Sequence, residues 1–500
     1  MRNRSEQQPW SPAARPRERT AVVRGARAGV LAILLGGLAG CVPAPAALRG
    51  PDPVPAAPAR LVAAPPVPPP PAPRPAREPI PAALLAPGAQ LALPQIIDIA
   101  LSNNPATRET WLRARAAREE LGSRRAAYYP EADLQLNASR TSQSALGGRF
   151  EILQNAYGPS LALRYLLLDF GGRRADVEEA RQLLFAADWT HNAVVQNVIL
   201  DVYEAYYGYL NARALRAAAE SSLGEARTNL DAAQARHDAG VATIADVLQA
   251  RTALSRAELT FQQVDGQIQV LLGALATAMG LPATTSLDVG ELPEGAPVEA
   301  ADNAVDELIA EATAARPDLA AARARALADW QHLAAVRAAR RPTIDVTGSA
   351  SRTYFDPATE ADYGDNWSVQ LALRWPLFTG GRQAHDARRA QFEAEASSAV
   401  AQDFEQQVVL QVWTSYYNVK TAQRQVVTSR DLLASATQNH EVALGRYKEG
   451  VGTVLDLLTA QAALTGARAQ EIQSRSTWLV SLAQLLHDTG MLLPVEGSAP

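Results

Sequence analysis

Apolar residues recur with two different periods along this chain, and the period changes at the same kind of landmark twice. After Tyr129-Pro130, Ala132, Leu134, Leu136 and Ala138 alternate with Asp133, Gln135, Asn137 and Ser139. After Arg341-Pro342, Ile344, Val346, Gly348 and Ala350 alternate with Asp345, Thr347, Ser349 and Ser351. A period of two with one apolar and one polar face predicts strands. Each strand is expected to meet a partner after a loop of about fifteen residues. In the first partner Leu161, Leu163, Tyr165 and Leu167 alternate with Ser160, Ala162, Arg164 and Leu166; in the second Trp367, Val369, Leu371, Leu373 and Trp375 alternate with Ser368, Gln370, Ala372 and Arg374. The expected hairpins cover 131–168 and 343–377, with strands of about nine to eleven residues, the length of a tilted membrane-crossing strand.

Elsewhere the period is helical. No proline interrupts 173–236 or 382–446, and in the first of these Val177, Ala180, Leu184, Ala187, Val194, Val198 and Val202, then Leu223, Ala226, Leu230 and Ala233, recur at three and four. At 1.5 Å per residue each helix would be about 95 Å long, too long for one compact domain. Second helices are expected over 245–279 and 454–489. Stacked end to end with the Ala/Arg-rich helix that precedes each hairpin, each would match the uninterrupted helix in length. Glycine pairs at Gly171-Gly172 and Gly380-Gly381 supply the backbone freedom to turn from strand to helix. Val202-Tyr203-Glu204-Ala205-Tyr206-Tyr207 and Val412-Trp413-Thr414-Ser415-Tyr416-Tyr417 are matching aromatic bands, read as core packing.

The halves are copies. Arg236 to Leu254 reads RHDAGVATIADVLQARTAL and Arg446 to Leu464 reads RYKEGVGTVLDLLTAQAAL, with about half the positions identical where unrelated segments share one or two. This sets the organisation as repeat 1 (94–280), a Gly/Pro/acid-rich linker (281–303), repeat 2 (304–490) and a tail (491–500).

Composition changes the picture at the N-terminus. Arg24 and Arg27 precede an apolar run from Ala28 to Leu38, then Leu38-Ala39-Gly40-Cys41. This resembles the bacterial lipobox, which implies a signal peptide over 1–40, cleavage before Cys41 and acylation (palmitate-type chains) of that residue. Val42, rather than an aspartate, favours the outer membrane by the known sorting rules. Cys41 is the protein's one cysteine, so the mature monomer has no disulfide. From 41 to 93 the chain is Pro/Ala-rich and reads as a semi-rigid tether. No later run has the eighteen or more apolar residues of a spanning helix, so a membrane crossing must be made by strands, with Tyr128, Tyr129, Tyr165, Tyr354, Trp367 and Trp375 near their ends.

The net charge of −5 gives no basic face for nucleic acid. Histidines 191, 237, 332, 385, 440 and 487 lack ligand spacing, and there is no HExxH or GxSxG, so neither an enzyme nor a metal or cofactor site is expected. Asp169-Phe170-Gly171 mimics the kinase magnesium triplet without its companion motifs and reads as a junction. Four strands cannot close a barrel, and an open edge in lipid leaves backbone groups unpaired, so the chain must oligomerise.

Helix, hairpin, Gly-Gly-Arg, long helix, Arg-x-x-x-Gly-Val turn and helix, twice over from Leu93 to Leu492, resembles the TolC outer-membrane efflux protein family. The resemblance implies a mixed, mainly α fold: two tandem repeats giving a long α-helical coiled-coil barrel, plus four transmembrane strands per chain that make a 12-stranded β-barrel in a homotrimer. It implies a periplasmic adaptor (membrane fusion) protein and an inner-membrane RND, ABC or MFS transporter as partners. The adaptor would meet the repeated turns through Arg236, Gly240, Val241 and Thr243, and Arg446, Gly450, Val451 and Thr453. It places Asp456 in a pore-lining acidic ring, puts Thr459 at the ring's second acidic position and Gly452 where a latch arginine is often found, and matches Tyr447 to the latch tyrosine. Asp246 occupies the place of Asp456 in the other repeat, so a solvated helix-face aspartate is the alternative. The functional expectation is a passive exit duct for drug or toxic-compound efflux. The alternatives are the outer-membrane part of a type I protein secretion system and a non-conducting structural lipoprotein.

Overall fold

The computed structural model describes residues 90–145, 150–290, 304–356 and 362–492. The expected signal peptide, Cys41, the tether up to 89, most of the linker and the tail from 493 lie outside the described residues. Repeat 1 comprises β1 (Gln90–Leu91), α1 (Leu93–Asn103), α2 (Pro105–Ala126), β2 (Glu131–Ala145), β3 (Phe150–Leu168), α3 (Gly172–Asp238) and α4 (Ile244–Ala278). After β4 (Asp288–Val289), repeat 2 comprises α5 (Val305–Ala315), α6 (Pro317–Ala338), β5 (Thr343–Asp356), β6 (Tyr363–Arg374), α7 (Arg382–Lys448) and α8 (Val454–Asp488). The corresponding helices match to the residue, with 67 in each long helix and 35 in each last one.

The four long strands form one antiparallel sheet in the order β2-β3-β5-β6, so β2 and β6 are open edges. Directly opposed residues share a face, and the register lines up Leu134, Leu161, Ala350 and Trp367 across all four strands. The next row is Ala132, Leu163, Gly348 and Val369. This face is bare, with Trp367 80% exposed. At one end of it Tyr157, Tyr354 and Tyr363 form an aromatic row, ring centroids 5.6 and 6.2 Å apart. The reverse face is polar: the Ser349 and Ser368 hydroxyls lie 2.8 Å apart, and Asn137 Nδ2 donates to Ser160 Oγ at 3.2 Å.

The strands depart from expectation in length. The stretch read as a fifteen-residue loop is mostly ladder, because β2 and β3 stay paired up to Ala145 and Phe150. Its Ser and Thr hydroxyls bond across the strands instead of turning: Ser139 and Thr141 donate to the Ala156 and Gln154 carbonyls at 3.4 and 3.5 Å, and Ser142 Oγ to Glu151 Oε1 at 2.7 Å. The second hairpin ends at Arg374 rather than 377, since Pro376 has no N–H to offer a ladder. Gly158-Pro159, unusual inside a sheet, sits where the β3–β5 register skips from Tyr157 to Ser160. A Cβ at Gly158 would lie 1.9 Å from the Arg352 carbonyl oxygen, so only glycine admits this approach.

The helices continue the same order. Near the sheet, α2 packs on α3, α3 on α6 and α6 on α7; farther away α4 packs on α3, α3 on α8 and α8 on α7. The two helical levels join where each opening helix breaks. Asn104 and Arg316, each before a proline, are extended at ψ 127° and 123°, which the proline ring enforces. Each break receives the end of its repeat's last helix. Asn104 Nδ2 donates to the Ala278 carbonyl at 3.3 Å, and Arg316 Nη1 to the Asp488 carbonyl at 3.2 Å. The largest core cluster lies here, around Ile96, Ile199, Val202, Leu210, Leu275 and Met279. The tether is shorter than expected, because Gln90–Leu91 already pairs in parallel with Asp288–Val289 and Leu91 is buried. The aromatic bands diverge: Tyr206 is buried in this core, whereas Trp413 and Tyr417 of the second band are half exposed. Among the described residues no helix is long and apolar enough to cross a membrane.

Candidate functional site

The repeated stretch folds as a helix–helix turn written out residue by residue. In the first copy the Gly240 amide donates to the His237 carbonyl at 2.8 Å and the Val241 amide to the Arg236 carbonyl at 2.9 Å. In the second the Gly450 amide donates to Tyr447 at 3.2 Å and Val451 to Arg446 at 3.0 Å. This is a Schellman termination, and the glycines carry its left-handed backbone at φ 77° and 78°. Thr243 and Thr453 then cap the next helices, each exchanging hydrogen bonds with the aspartate three residues on. The shared Arg-x-x-x-Gly-Val-x-Thr-x-x-Asp is thus a C-cap followed by a capping box.

The two turns meet at the end of the molecule opposite the sheet. Arg236 bridges them: its Nη1 donates to the Tyr447 carbonyl at 2.7 Å and its guanidinium lies 4.7 Å from the Tyr447 ring centroid. Tyr447 is 7% exposed, and its hydroxyl is buried without a hydrogen-bond partner. Arg446, the counterpart of Arg236, is exposed, and His237 Nδ1 donates to the Ala242 carbonyl at 3.0 Å. Gly452 is packed closely; a Cβ there would lie 3.1 Å from the Tyr447 nitrogen.

Asp456 is exposed and engaged in its cap, accepting from the Thr453 hydroxyl at 2.8 Å and amide at 3.2 Å. These bonds, aided by the Arg446 charge, hold its carboxyl below the usual carboxylate range. Asp246 makes the same bonds at 2.9 and 2.8 Å. Thr459 lies one turn on, exposed on the same side of α8. Val241 and Val451 are exposed at the turn tips, followed by exposed Ile244, Leu248 and Leu455.

Above the turns, α8 has two unlike seams. Against α7 it is apolar: Tyr447, Val454 and Leu457; Ala436, Leu464 and Ala467; Ala422, Val426 and Trp478. Against α3 of the other repeat it is a polar ladder. Asn229 Nδ2 donates to Gln461 Oε1 at 2.6 Å, Ser222 and Thr465 hydroxyls are 3.1 Å apart, and Arg468 meets Glu225 at 3.0 Å. Higher up, Asn197 Oδ1 lies 2.8 Å from His487 Nε2. Sequence reasoning missed this ladder. The available signal was Asn229 standing among Ala226 and Ala233 in an apolar stripe, and Gln461 between Leu457 and Leu464. A crevice of about 570 Å³ between α3, α4 and α8 is lined mostly by small and neutral polar residues such as Ala226, Thr252 and Thr465, with Arg256 among them. Among the described residues no group of His, Cys, Asp and Glu could hold a metal ion.

At the strand–helix junctions Gly171 and Gly381 precede the long helices with φ 99° and 84°. Phe170 adopts φ 51° where the second copy has Gly380, and the Asp169 carboxylate supports that turn by accepting from the Gly171 and Arg173 amides.

A family model described as outer membrane efflux protein matches residues 96–281 and 308–490. Protein CyaE of Bordetella pertussis is 30% identical over 82% of this chain and 86% of its own length. The toluene efflux pump outer membrane protein TtgF of Pseudomonas putida is 27% identical over 79% of this chain and 82% of its own. Among solved structures, the outer membrane protein VceC of Vibrio cholerae superposes with a TM-score of 0.71 at 21% identity, covering 80% of this chain and 96% of that one.

Proposed function

Because the chain belongs to the outer membrane efflux protein family, a family of channels and not of enzymes, we propose that three copies close into one continuous exit duct. The observation that carries this is the shared pair of open edges. The sheet ends at β2 and β6, and the helical layers end at α2 or α4 on one side and α7 on the other. Helix α7 buries one stripe (Val408, Val412, Val419) and bares a second, Phe392, Leu410, Trp413 and Tyr417, nearly opposite on a 100° wheel. Three chains would give twelve strands, enough to leave a lumen lined by the polar sheet face, with the bare apolar face toward lipid.

In this reading the helices, each about 100 Å long, extend from the outer membrane into the periplasm as an α-helical barrel. The turns form its far end, where a periplasmic adaptor meets the exposed residues around Val241, Thr243, Val451 and Thr453, and an RND, ABC or MFS transporter supplies substrate. Asp456, Tyr447 and Thr459 constitute the gate. The Arg236 bridge from one turn to the Tyr447 carbonyl and ring of the other supports this, since it ties the two turns together beside Asp456. Cys41 carries the acyl anchor. The cargo is drugs or toxic small molecules, in keeping with the toluene efflux pump relative and with a sheet face that is neutral and polar at mid-height.

Planar bilayer recording of the purified protein tests the duct. Discrete conductance steps are expected, with Asp456→Ala lowering cation selectivity; a protein that inserts without conducting would contradict it.

A further inference from the structure

The helical layer meets the sheet through a band of arginines. Helix α2 ends at Arg124-Arg125, α6 is followed by Arg340-Arg341, and α3 and α7 begin at Arg173-Arg174 and Arg382. These ends are knit into one level. Arg173 Nη1 donates to the Ala127 carbonyl at 3.3 Å and the guanidinium lies over the Tyr128 ring at 5.0 Å. Arg341 Nη1 donates to the Phe170 carbonyl at 2.9 Å, and Gln383 Nε2 to the Ala339 carbonyl at 3.3 Å.

Within the band the arginines divide. Arg124 is paired with Glu120, Arg173 with Asp169, and Arg341 with backbone. The side chains of Arg125, Arg174, Arg340 and Arg382 are exposed and have no hydrogen bond or ion pair among the described residues. A few residues along the chain from Arg125 and Arg382, where the bare apolar sheet face ends, Tyr129, Trp375, Leu377 and Phe378 are exposed, Phe378 to 89%. The other rim of the sheet is built differently. There Arg352 is neutralised by a two-pronged bond to Asp365 at 2.6 and 2.8 Å and lies over Tyr363, leaving Arg140 as the unpaired arginine among the described residues. Among the described residues, unpaired cations are concentrated at the helix-side rim.

We propose that this band is a docking surface for phosphate headgroups of anionic glycerophospholipids in the leaflet at the helix end of the barrel, the periplasmic one. Aromatic rings settle at headgroup depth, and a guanidinium forms paired, charge-assisted hydrogen bonds with a phosphate diester. The unpaired arginines therefore complete a contact that the apolar face begins, and they fix the height at which the duct rides in the membrane. This rests on the barrel reading above.

The test reconstitutes the full-length protein into phosphatidylcholine nanodiscs with and without phosphatidylglycerol and counts co-purifying lipid by native mass spectrometry. Wild type is expected to retain phosphatidylglycerol selectively. Arg125→Gln, Arg174→Gln, Arg340→Gln and Arg382→Gln together should abolish the selectivity, each weakening retention about fivefold, while the four lysine replacements keep part of it. Equal retention of both lipids by wild type, or unchanged selectivity in the glutamine variant, overturns the proposal. Conductance in pure phosphatidylcholine keeps the two ideas apart: insertion without lipid preference sinks the docking surface alone, and failure to insert contradicts the barrel beneath it.

Discussion

Helices α4 and α8 are the same element in two copies, 35 residues each, entered through the same capped turn, yet they live in different surroundings. Helix α8 is wedged between α7 and α3 and buries Leu457, Leu464, Ile472, Trp478 and Leu485. Helix α4 leans chiefly on α3 and leaves Ile244, Leu248, Leu259 and Val270 exposed along one side. Duplication gave both helices a face for a long helix; within one chain only α8 has two neighbours to meet. At the level of this bare side α7 also leaves Val427, Leu432 and Val442 exposed, and in the proposed ring of copies these are the surfaces that would be brought together.

The widest break in the comparison comes from charging the bare side. Leu259→Glu with Val270→Glu should abolish assembly, seen as loss of the cross-linked oligomer, while circular dichroism of the chain stays helical. Truncating the wedged helix acts on the fold itself. Leu457→Ala, at a fully buried position, should lower stability by about 2–5 kcal/mol in denaturant melts, whereas Val270→Ala should be nearly silent in a dissociated chain. In the polar seam, Asn229→Ala leaves Gln461 buried and unpaired and should cost about 1–3 kcal/mol; replacing both by leucine should recover most of that loss. A smaller effect is expected at the break between α5 and α6. Burial raises the Asp318 carboxyl, but the Arg316 hydrogen bond and charge outweigh it and hold the group below the usual carboxylate range. Its stabilisation is therefore complete above about pH 4 and disappears as the pH falls through the depressed value. Acid titration of Asp318→Asn should show a shallower loss of stability there than wild type. The smallest change is Tyr447→Phe, which removes an unpartnered hydroxyl and should alter stability by less than about 0.5 kcal/mol while changing the open time of the channel.

What could be read from the residues was whatever repeats locally. Alternation at Leu134 and Leu136 gave the strand faces, and Gly240, Thr243 and Asp246 spelled a turn whose logic is complete within eleven residues of Arg236. The misreadings have a common physical origin in partners distant along the chain. The Asn229–Gln461 and Arg468–Glu225 contacts join different repeats, so no local period announces them. The first hairpin is the exception, a local one: its strands ran on past their apolar rows because Ser and Thr hydroxyls bond across a ladder as readily as they turn. Asp456 was legible as an acidic residue at a helix start, but its occupation by Thr453 emerges only from the cap geometry, and the same geometry at Asp246 makes the cap a property of both turns.

The central claim is that one chain is an incomplete wall closed by its own copies. Native mass spectrometry of the detergent-extracted, full-length protein tests it most directly. The account predicts a dominant species of three chains that survives dilution and falls apart in the Leu259→Glu, Val270→Glu variant. A stable single chain under the same conditions, with both bare stripes left in detergent, would contradict it.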